Sequence, residues 1–418
     1  MTVDQADVEK TRAHVATAKR LAFAGDGDGA LRECAAALSL GVLRPGDAVL
    51  VVAILRSFAE ASVAREVEQE VRATLQAKVA AHPDQQQALL DLAQFLLVVN
   101  ENDAAEPLVR RAIALDPSNF TASELLAHIN IERKDPDAVV AGWQPLFAAR
   151  PDSGKVRLIA AKILGHFGYR AHAEQLLALA EPLSHDNIQE FRHIAAGIRG
   201  VEVGLDQAQH ALALFDTFSS NYDAVLTNLR NAGPQMIGWV LDDLALPRDT
   251  ARRVLDAGCG TGLCAPYLRP YASLLHGCDL SVGMLEQAKA KGTYDLLTRT
   301  DLSIAATYPE GVFDLVASSD VLVYFGDLGP VLKTVATRMR PGGWLVISVE
   351  DGGDSATAER GYLLGTTGRY AHRLDYLERT LQASGFARPK VTIRNTLRHE
   401  FNVPVAGIAL AAQRLALV

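Results

Sequence analysis

The apolar positions change rhythm partway along the chain. Over the first half they recur at helical spacing in stretches rich in Ala and Leu, and the pattern itself repeats. Pro83, Pro117 and Pro151 stand 34 residues apart, each followed by Asp or Ser, and the next register point falls at His185 and Asp186. That period belongs to a helix–turn–helix unit stacked into a solenoid. With Pro117 near the end of one unit, the unit begins near Gln86 and its small positions are Ala93, Ala105 and Ala112. The same count gives Ala127, Val139 and Leu146 in the next unit, and Ala161, Ala173 and Ala180 in the one after. Small side chains there let paired helices approach, while Leu92, Leu96 and Leu126 fill the groove between units. Each proline suits the turn after a second helix, where no helical N–H is needed. One unit cannot bury its apolar face alone, so several are expected to stack.

Near residue 250 short apolar runs begin to alternate with amphipathic stretches. ARRVLDAGCG, LLHGCDL, DLLTRTD, FDLVASSD and WLVISVE read as buried strands. Stretches near 281–291, 327–340 and 370–384 read as helices. Strands alternating with helices imply a parallel, doubly wound sheet. KVTIRNT and PVAGIALAAQ, separated only by HEFN and its neighbours, are expected to pair antiparallel. The change of period falls between residues 190 and 215, giving expected domains 1–200 and 201–418.

Composition narrows the function. The chain has 418 residues, 49% of them apolar and 22% charged, and a formal net charge of -8. Wholesale disorder is excluded. Holding a long stretch of nucleic acid would call for a basic excess, so that role is disfavoured. Cys34, Cys259, Cys264 and Cys278 are too few for a disulfide framework and read as small buried side chains. Their spacing does not match a structural zinc pattern, and no metal is expected. The start, MTVDQADVEK, lacks the apolar segment of a secretory signal, and no apolar run is long enough to span a membrane. The expected location is cytoplasmic, without membrane partners.

The first predicted strand ends in Asp256-Ala257-Gly258-Cys259-Gly260-Thr261-Gly262. Glycines there allow a tight turn and close approach of a ligand to the backbone. A phosphate loop would end in Gly-Lys-Ser/Thr, and a dinucleotide loop would place a third glycine at Leu263; neither is present. Asp256 beside the loop would repel a pyrophosphate and attract a ligand carrying an ammonium and a sulfonium. S-adenosylmethionine carries both and has no phosphate. Asp279, at the end of the second strand, is placed to accept from both ribose hydroxyls, with Leu280 next to it. Asp301, after the third strand, can accept from the adenine amino group, with Leu302 beside the ring.

These features together resemble a class I S-adenosylmethionine-dependent methyltransferase over residues 210–418. FDTFSSNYD, Phe215 to Asp223, resembles that family's entry helix, whose tyrosine, here Tyr222, closes over the cofactor. RPGGWLVIS resembles the turn into its fifth strand. The first half resembles the tetratricopeptide repeat, well over 50–187 and loosely over 10–50, without the large aromatic near the start of helix one. The whole chain resembles bacterial methyltransferases carrying such an array. The implied fold is an all-α repeat solenoid followed by an α/β Rossmann-like domain, mostly parallel with an antiparallel hairpin at its end. The implied cofactor set is Tyr222, Asp256, Gly258, Gly260, Gly262, Asp279, Leu280, Asp301, Leu302 and Ser319.

Methyl transfer is a displacement at a carbon the sulfonium already activates, so position and electrostatics are the protein's share. Acceptor-facing groups are expected from loops at the carboxyl ends of the strands. Ser319, Asp320 and Tyr324 follow strand four. His372 follows a Gly-rich stretch expected to be mobile, and His399 with Glu400 is expected at the last turn. The two histidines are the natural base candidates, and the catalytic set is His372, His399 and Tyr324. Arginines including Arg369 and Arg398 crowd the last quarter, where they could recognise a substrate carboxylate or phosphate. The expected activity is methylation of an O, N or C nucleophile of a small molecule or peptide. The repeats would recruit or cover substrate, bind a protein partner or form a homodimer. The alternative is an interaction scaffold whose second domain senses S-adenosylmethionine. A nucleic-acid acceptor is disfavoured, since the chain after strand four reads Ser-Ser-Asp-Val rather than Asn-Pro-Pro-Tyr.

Overall fold

The structure, a computed structural model, describes residues 5–23, 27–40, 43–59, 61–185, 188–201, 231–353, 360–401 and 403–416. The chain divides into two compact units, Met1–Asp186 and Asn187–Val418. The division falls just ahead of the 190–215 window.

The first unit is helical throughout its described residues. Helices α1 (Gln5–Phe23), α2 (Gly27–Ser39), α3 (Pro45–Phe58) and α4 (Ala61–Ala81) come first. Three pairs follow: α5 (Gln86–Val98) with α6 (Asn102–Leu115), α7 (Phe120–Glu132) with α8 (Pro136–Ala149), and α9 (Gly154–His166) with α10 (Arg170–Ala180). Pairs begin at residues 86, 120 and 154, the interval of the prolines. All nine small positions named above are buried, as the close approach of paired helices requires. Pro117 and Pro151 each precede by two residues an N-cap, Asn119 and Ser153, whose side chain accepts from the third amide beyond it. Gln86 ties successive units together: its Nε2 donates to the Ala112 carbonyl and its Oε1 accepts from Asn119, both at 2.8 Å. The regular interval starts at α5, because α4 runs to 21 residues.

In the second unit α11 (Ile188–Arg199) and α12 (Gly233–Asp243) precede the sheet. Strands β1 (Arg252–Ala257), β2 (Ala272–Asp279), β3 (Leu296–Arg299), β4 (Phe313–Ser318) and β5 (Met339–Asp351) lie parallel in the order β3-β2-β1-β4-β5. Helices α13 (Ala265–Leu268), α14 (Val282–Lys291) and α15 (Gly329–Thr337) lie between them, and α16 (Leu374–Ala383) follows. The Gly-rich stretch, expected to be mobile, forms a hairpin of β6 (Tyr362–Leu364) and β7 (Tyr370–His372). Residues 370–372, read as the start of a helix, are therefore strand, and β7 extends the sheet alongside the end of β5. The last two strands, β8 (Val391–Glu400) and β9 (Val403–Gln413), pair antiparallel, and β9 runs antiparallel to β5. His399 and Glu400 lie within β8, opposite Pro404 and Val403, rather than in the turn.

Alternate strand residues face opposite sides. Leu255, Val316 and Ile347 pack on one side with α15 and α16, and Val254, Leu315 and Val346 pack on the other with α12 and α13. Both faces are covered, which is why the strands read as unbroken apolar runs. Among the described residues no helix is long and apolar enough to cross a membrane.

Candidate functional site

The loop after β1 adopts the conformation its glycines permit. Gly258, Gly260 and Gly262 have φ of 79°, 52° and 90°, values that side chains strain to reach. Two of these glycines also make room for the protein's own side chains. A Cβ on Gly258 would lie 2.4 Å from Val321, and one on Gly262 would lie 2.9 Å from Tyr294. The loop is thus pressed between the post-β4 segment and Tyr294, and a cavity opens over it. Gly258, Gly260, Asp279, Ser319 and Asp320 line this cavity.

Asp279 is the best-placed acid. Its Oδ2 accepts from the Gly260 amide and its Oδ1 from the Ser281 amide, each at 2.9 Å. Both of its oxygens are thereby held at the cavity that it lines. Asp256 is placed differently. It is fully buried beneath the loop and does not line the cavity. Tyr294 donates to its Oδ2 at 2.6 Å, while Oδ1 has no partner among the described residues. Burial raises its pKa from 3.8 to about 7, against the lowering effect of the tyrosine.

That shift has a testable consequence. The folded chain keeps the Asp256 proton where the unfolded chain has lost it, so this group's contribution to stability falls as pH rises from about 4 to about 7. The slope is at most about 1.4 kcal/mol per pH unit. Asp256→Asn removes the titration and can still accept from Tyr294. Urea unfolding of both proteins across this range should show the variant gaining on the wild type as pH rises. Parallel curves would refute the assignment.

The remaining expected residues scatter. Asp301 accepts from the amide and hydroxyl of Ser303 and does not line the cavity. Leu302 is buried in the core, its carbonyl accepting from Tyr308. Leu280 offers its carbonyl to Arg299. Tyr222 and the Phe215–Asp223 segment lie outside the described residues. Ser319 lines the cavity, and its Oγ is buried without a partner among the described residues.

His372 does not fit the role of base. It is fully buried, its Nε2 lies 3.0 Å from the Gly326 carbonyl, and its ring stacks on Tyr376. Burial lowers its pKa to about 4, so it is neutral near pH 7 and Nε2 carries the donated proton. It packs the β6–β7 hairpin against the segment after β4. His399, on β8, does not line the cavity. Tyr324 does not line the cavity either, and Arg369 Nε lies 3.4 Å from its hydroxyl.

Arg369 and Arg398 are also not open to a substrate anion. Arg398 is fully buried and pairs with Asp320, Glu350 and Glu400, and Arg369 pairs with Glu400. These pairs join segments far apart in sequence, so neither composition nor spacing announces them. Sequence reasoning also missed Tyr294 and Asn231. A tyrosine two residues beyond a helix-ending glycine gives no signal of its long-range acid partner. All four cysteines are free and buried, and burial pushes the Cys278 thiol up to about 12. Among the described residues no group of three or more His, Cys, Asp or Glu could hold a metal ion.

A parallel sheet with a Gly-x-Gly-x-Gly turn after β1, an acid ending β2 and an antiparallel pair closing one edge define a class. The second unit carries a methyltransferase domain. Residues 255–347 match the family model described as a methyltransferase domain. Over 116 residues the chain is 37% identical to human methyltransferase-like protein 27, covering 27% of this chain and 47% of that protein. Over 126 residues it is 32% identical to the ubiquinone biosynthesis O-methyltransferase of Paracidovorax citrulli, covering 29% of this chain and 51% of that protein. The chain thus spans about half the length of these curated relatives. Among solved structures, magnesium protoporphyrin IX methyltransferase from Synechocystis with bound SAH aligns at a TM-score of 0.40 and 19% identity, over 50% of this chain and all of that one.

Proposed function

We propose that the chain transfers a methyl group from S-adenosylmethionine to an O, N or C nucleophile of a small molecule or peptide. The observation that carries this reading is the Asp279 carboxylate, tied to the Gly260 amide in a cavity that the Gly258 and Gly260 turn also lines. A donor nucleoside would rest on the Gly258–Gly262 turn with its ribose at Asp279. When bound, the donor supplies an activated methyl carbon. The chain's own residues then have two tasks, to hold the acceptor in line and to keep the cavity's charge favourable to a cation. With His372 buried and neutral, an acceptor that needs deprotonation would have to use another group.

The helical pairs of the first unit would recruit or cover the substrate or mediate assembly. The repeats resemble a peptide-binding array, and the ordinary use of stacked helix pairs is recognition. The competing reading is a scaffold whose second unit binds the donor without turning it over. Incubation of the purified chain with labelled S-adenosylmethionine and pooled small-molecule and peptide acceptors separates the two. Label in an acceptor supports the enzyme. Donor binding without label in any fraction, across acceptors and pH, supports the sensor.

A further inference from the structure

Ser319, Asp320 and Val321, which open the segment after β4, form one wall of the cavity. Val321 presses on the glycine turn, since a Cβ on Gly258 would meet its side chain at 2.4 Å. Farther along, the β6–β7 hairpin grips the same segment. His372 Nε2 donates to the Gly326 carbonyl at 3.0 Å. A Cβ on Gly326 would lie 2.8 Å from Tyr362 and 2.9 Å from Tyr370, so both rings lie against the backbone there. Arg369, between the two hairpin strands, has its Nε 3.4 Å from the Tyr324 hydroxyl.

The hairpin is in turn seated on α11, the first described element of the second unit. His193 is buried, its Nε2 donates to the Gly368 carbonyl at 2.9 Å, and its ring meets Tyr370 edge-on at 6.3 Å. Gly197 stands so near the hairpin that a Cβ there would lie 2.2 Å from the Gly365 carbonyl. Alanine is favoured over glycine inside a helix, so glycine here answers to packing rather than to helix formation. Ala196, Leu364 and Tyr370 complete this contact as a small buried cluster. Among the described residues, none of α11 or the hairpin lines the cavity.

Resting on the donor reading above, we infer that His193 and Gly197 are positioning residues for the donor cavity. They fix the β6–β7 hairpin, and the hairpin fixes the post-β4 segment that forms the cavity wall. Closely packed groups pass a displacement on because they have no free space to absorb it. Two of the contacts in this series are histidine N–H groups bonded to backbone carbonyls, and each can be removed singly. A loosened hairpin leaves the post-β4 segment more conformations in the free protein. A ligand that needs one of them then binds more weakly, in proportion to the fraction of molecules that still hold it.

Calorimetry on the full chain with S-adenosylhomocysteine reads this effect. His193→Ala and Gly197→Ala should each raise the dissociation constant about tenfold, which corresponds to a competent fraction of about one in ten. His193→Gln keeps an N–H that can reach the Gly368 carbonyl and should restore most of the affinity. Arg192→Ala, on the exposed side of α11, should bind as the wild type does. Amide exchange of the unliganded protein locates the change. The amides of Tyr324, Phe325 and Leu328 donate to the Val321 carbonyl, the Leu322 carbonyl and the Tyr376 hydroxyl. In His193→Ala these three should exchange faster while those of β9 do not. Wild-type affinity in both His193→Ala and Gly197→Ala overturns the inference. So does weakened binding with equally faster exchange in β9, which would mark a general loss of stability. If Gly197→Ala fails to fold, His193→Ala and His193→Gln decide. Failure of the wild type to bind the ligand would instead overturn the donor reading.

Discussion

Replacing Asp279 with Ala should weaken binding of S-adenosylhomocysteine by about 100-fold or more. The estimate rests on two losses. A hydrogen bond to a charged acceptor contributes about 1.5–3 kcal/mol, and in the function proposed above the carboxylate takes two ribose hydroxyls. The substitution also removes the acceptor of the Gly260 and Ser281 amides, so the glycine turn loses the anchor that shapes it. Asp279→Asn keeps one carbonyl acceptor but presents two donors, and should fall between Ala and wild type. Titration calorimetry reads the affinities, and the urea midpoint shows whether the fold survives. A dissociation constant within threefold of wild type in a folded Asp279→Ala protein would move the nucleoside away from β2.

Features imposed by local sterics were legible in the sequence, and features made by distant pairs were not. The prolines at 83, 117 and 151 mark turns through their even spacing, which Pro107 and Pro145, inside helices, do not share, so the repeat interval shows directly. The run Gly258 to Gly262 shows because positive φ favours glycine at each of its three positions. The β6–β7 hairpin stayed hidden, since two three-residue strands around Gly365 and Gly368 carry no alternation to read. Its form depends on α11: His193 Nε2 lies 2.9 Å from the Gly368 carbonyl, and a Cβ on Gly197 would lie 2.2 Å from the Gly365 carbonyl. Asp256 was misjudged for a related reason. A carboxylate two residues before a ligand loop reads as a ligand group, and the tyrosine that claims it lies 38 residues onward. His372 read as a base because imidazole titrates near neutrality, a premise that complete burial removes.

Arg398 shows how much of the site's framework rests on one such distant pairing, and its loss should be among the most destabilising changes in the second unit. It reaches from β8 to the segment after β4 through Asp320 and to β5 through Glu350. Arg398→Ala would take the guanidinium away from Asp320, Glu350 and Glu400, of which Glu350 and Glu400 are buried. Breaking a buried ion pair by removing one partner costs about 3–5 kcal/mol, because the other charges stay behind without compensation. The urea midpoint should fall accordingly. The same logic fixes the signature that separates lost charge balance from lost packing. In the Arg398→Ala background, Asp320→Asn and Glu400→Gln should each restore part of the stability, although either change alone in the wild type should be neutral or harmful. Such a reversal of sign is coupling between neighbours. An empty volume where the guanidinium stood would not be filled by either amide. If both double variants are no more stable than Arg398→Ala, the cluster is held by packing rather than by charge balance.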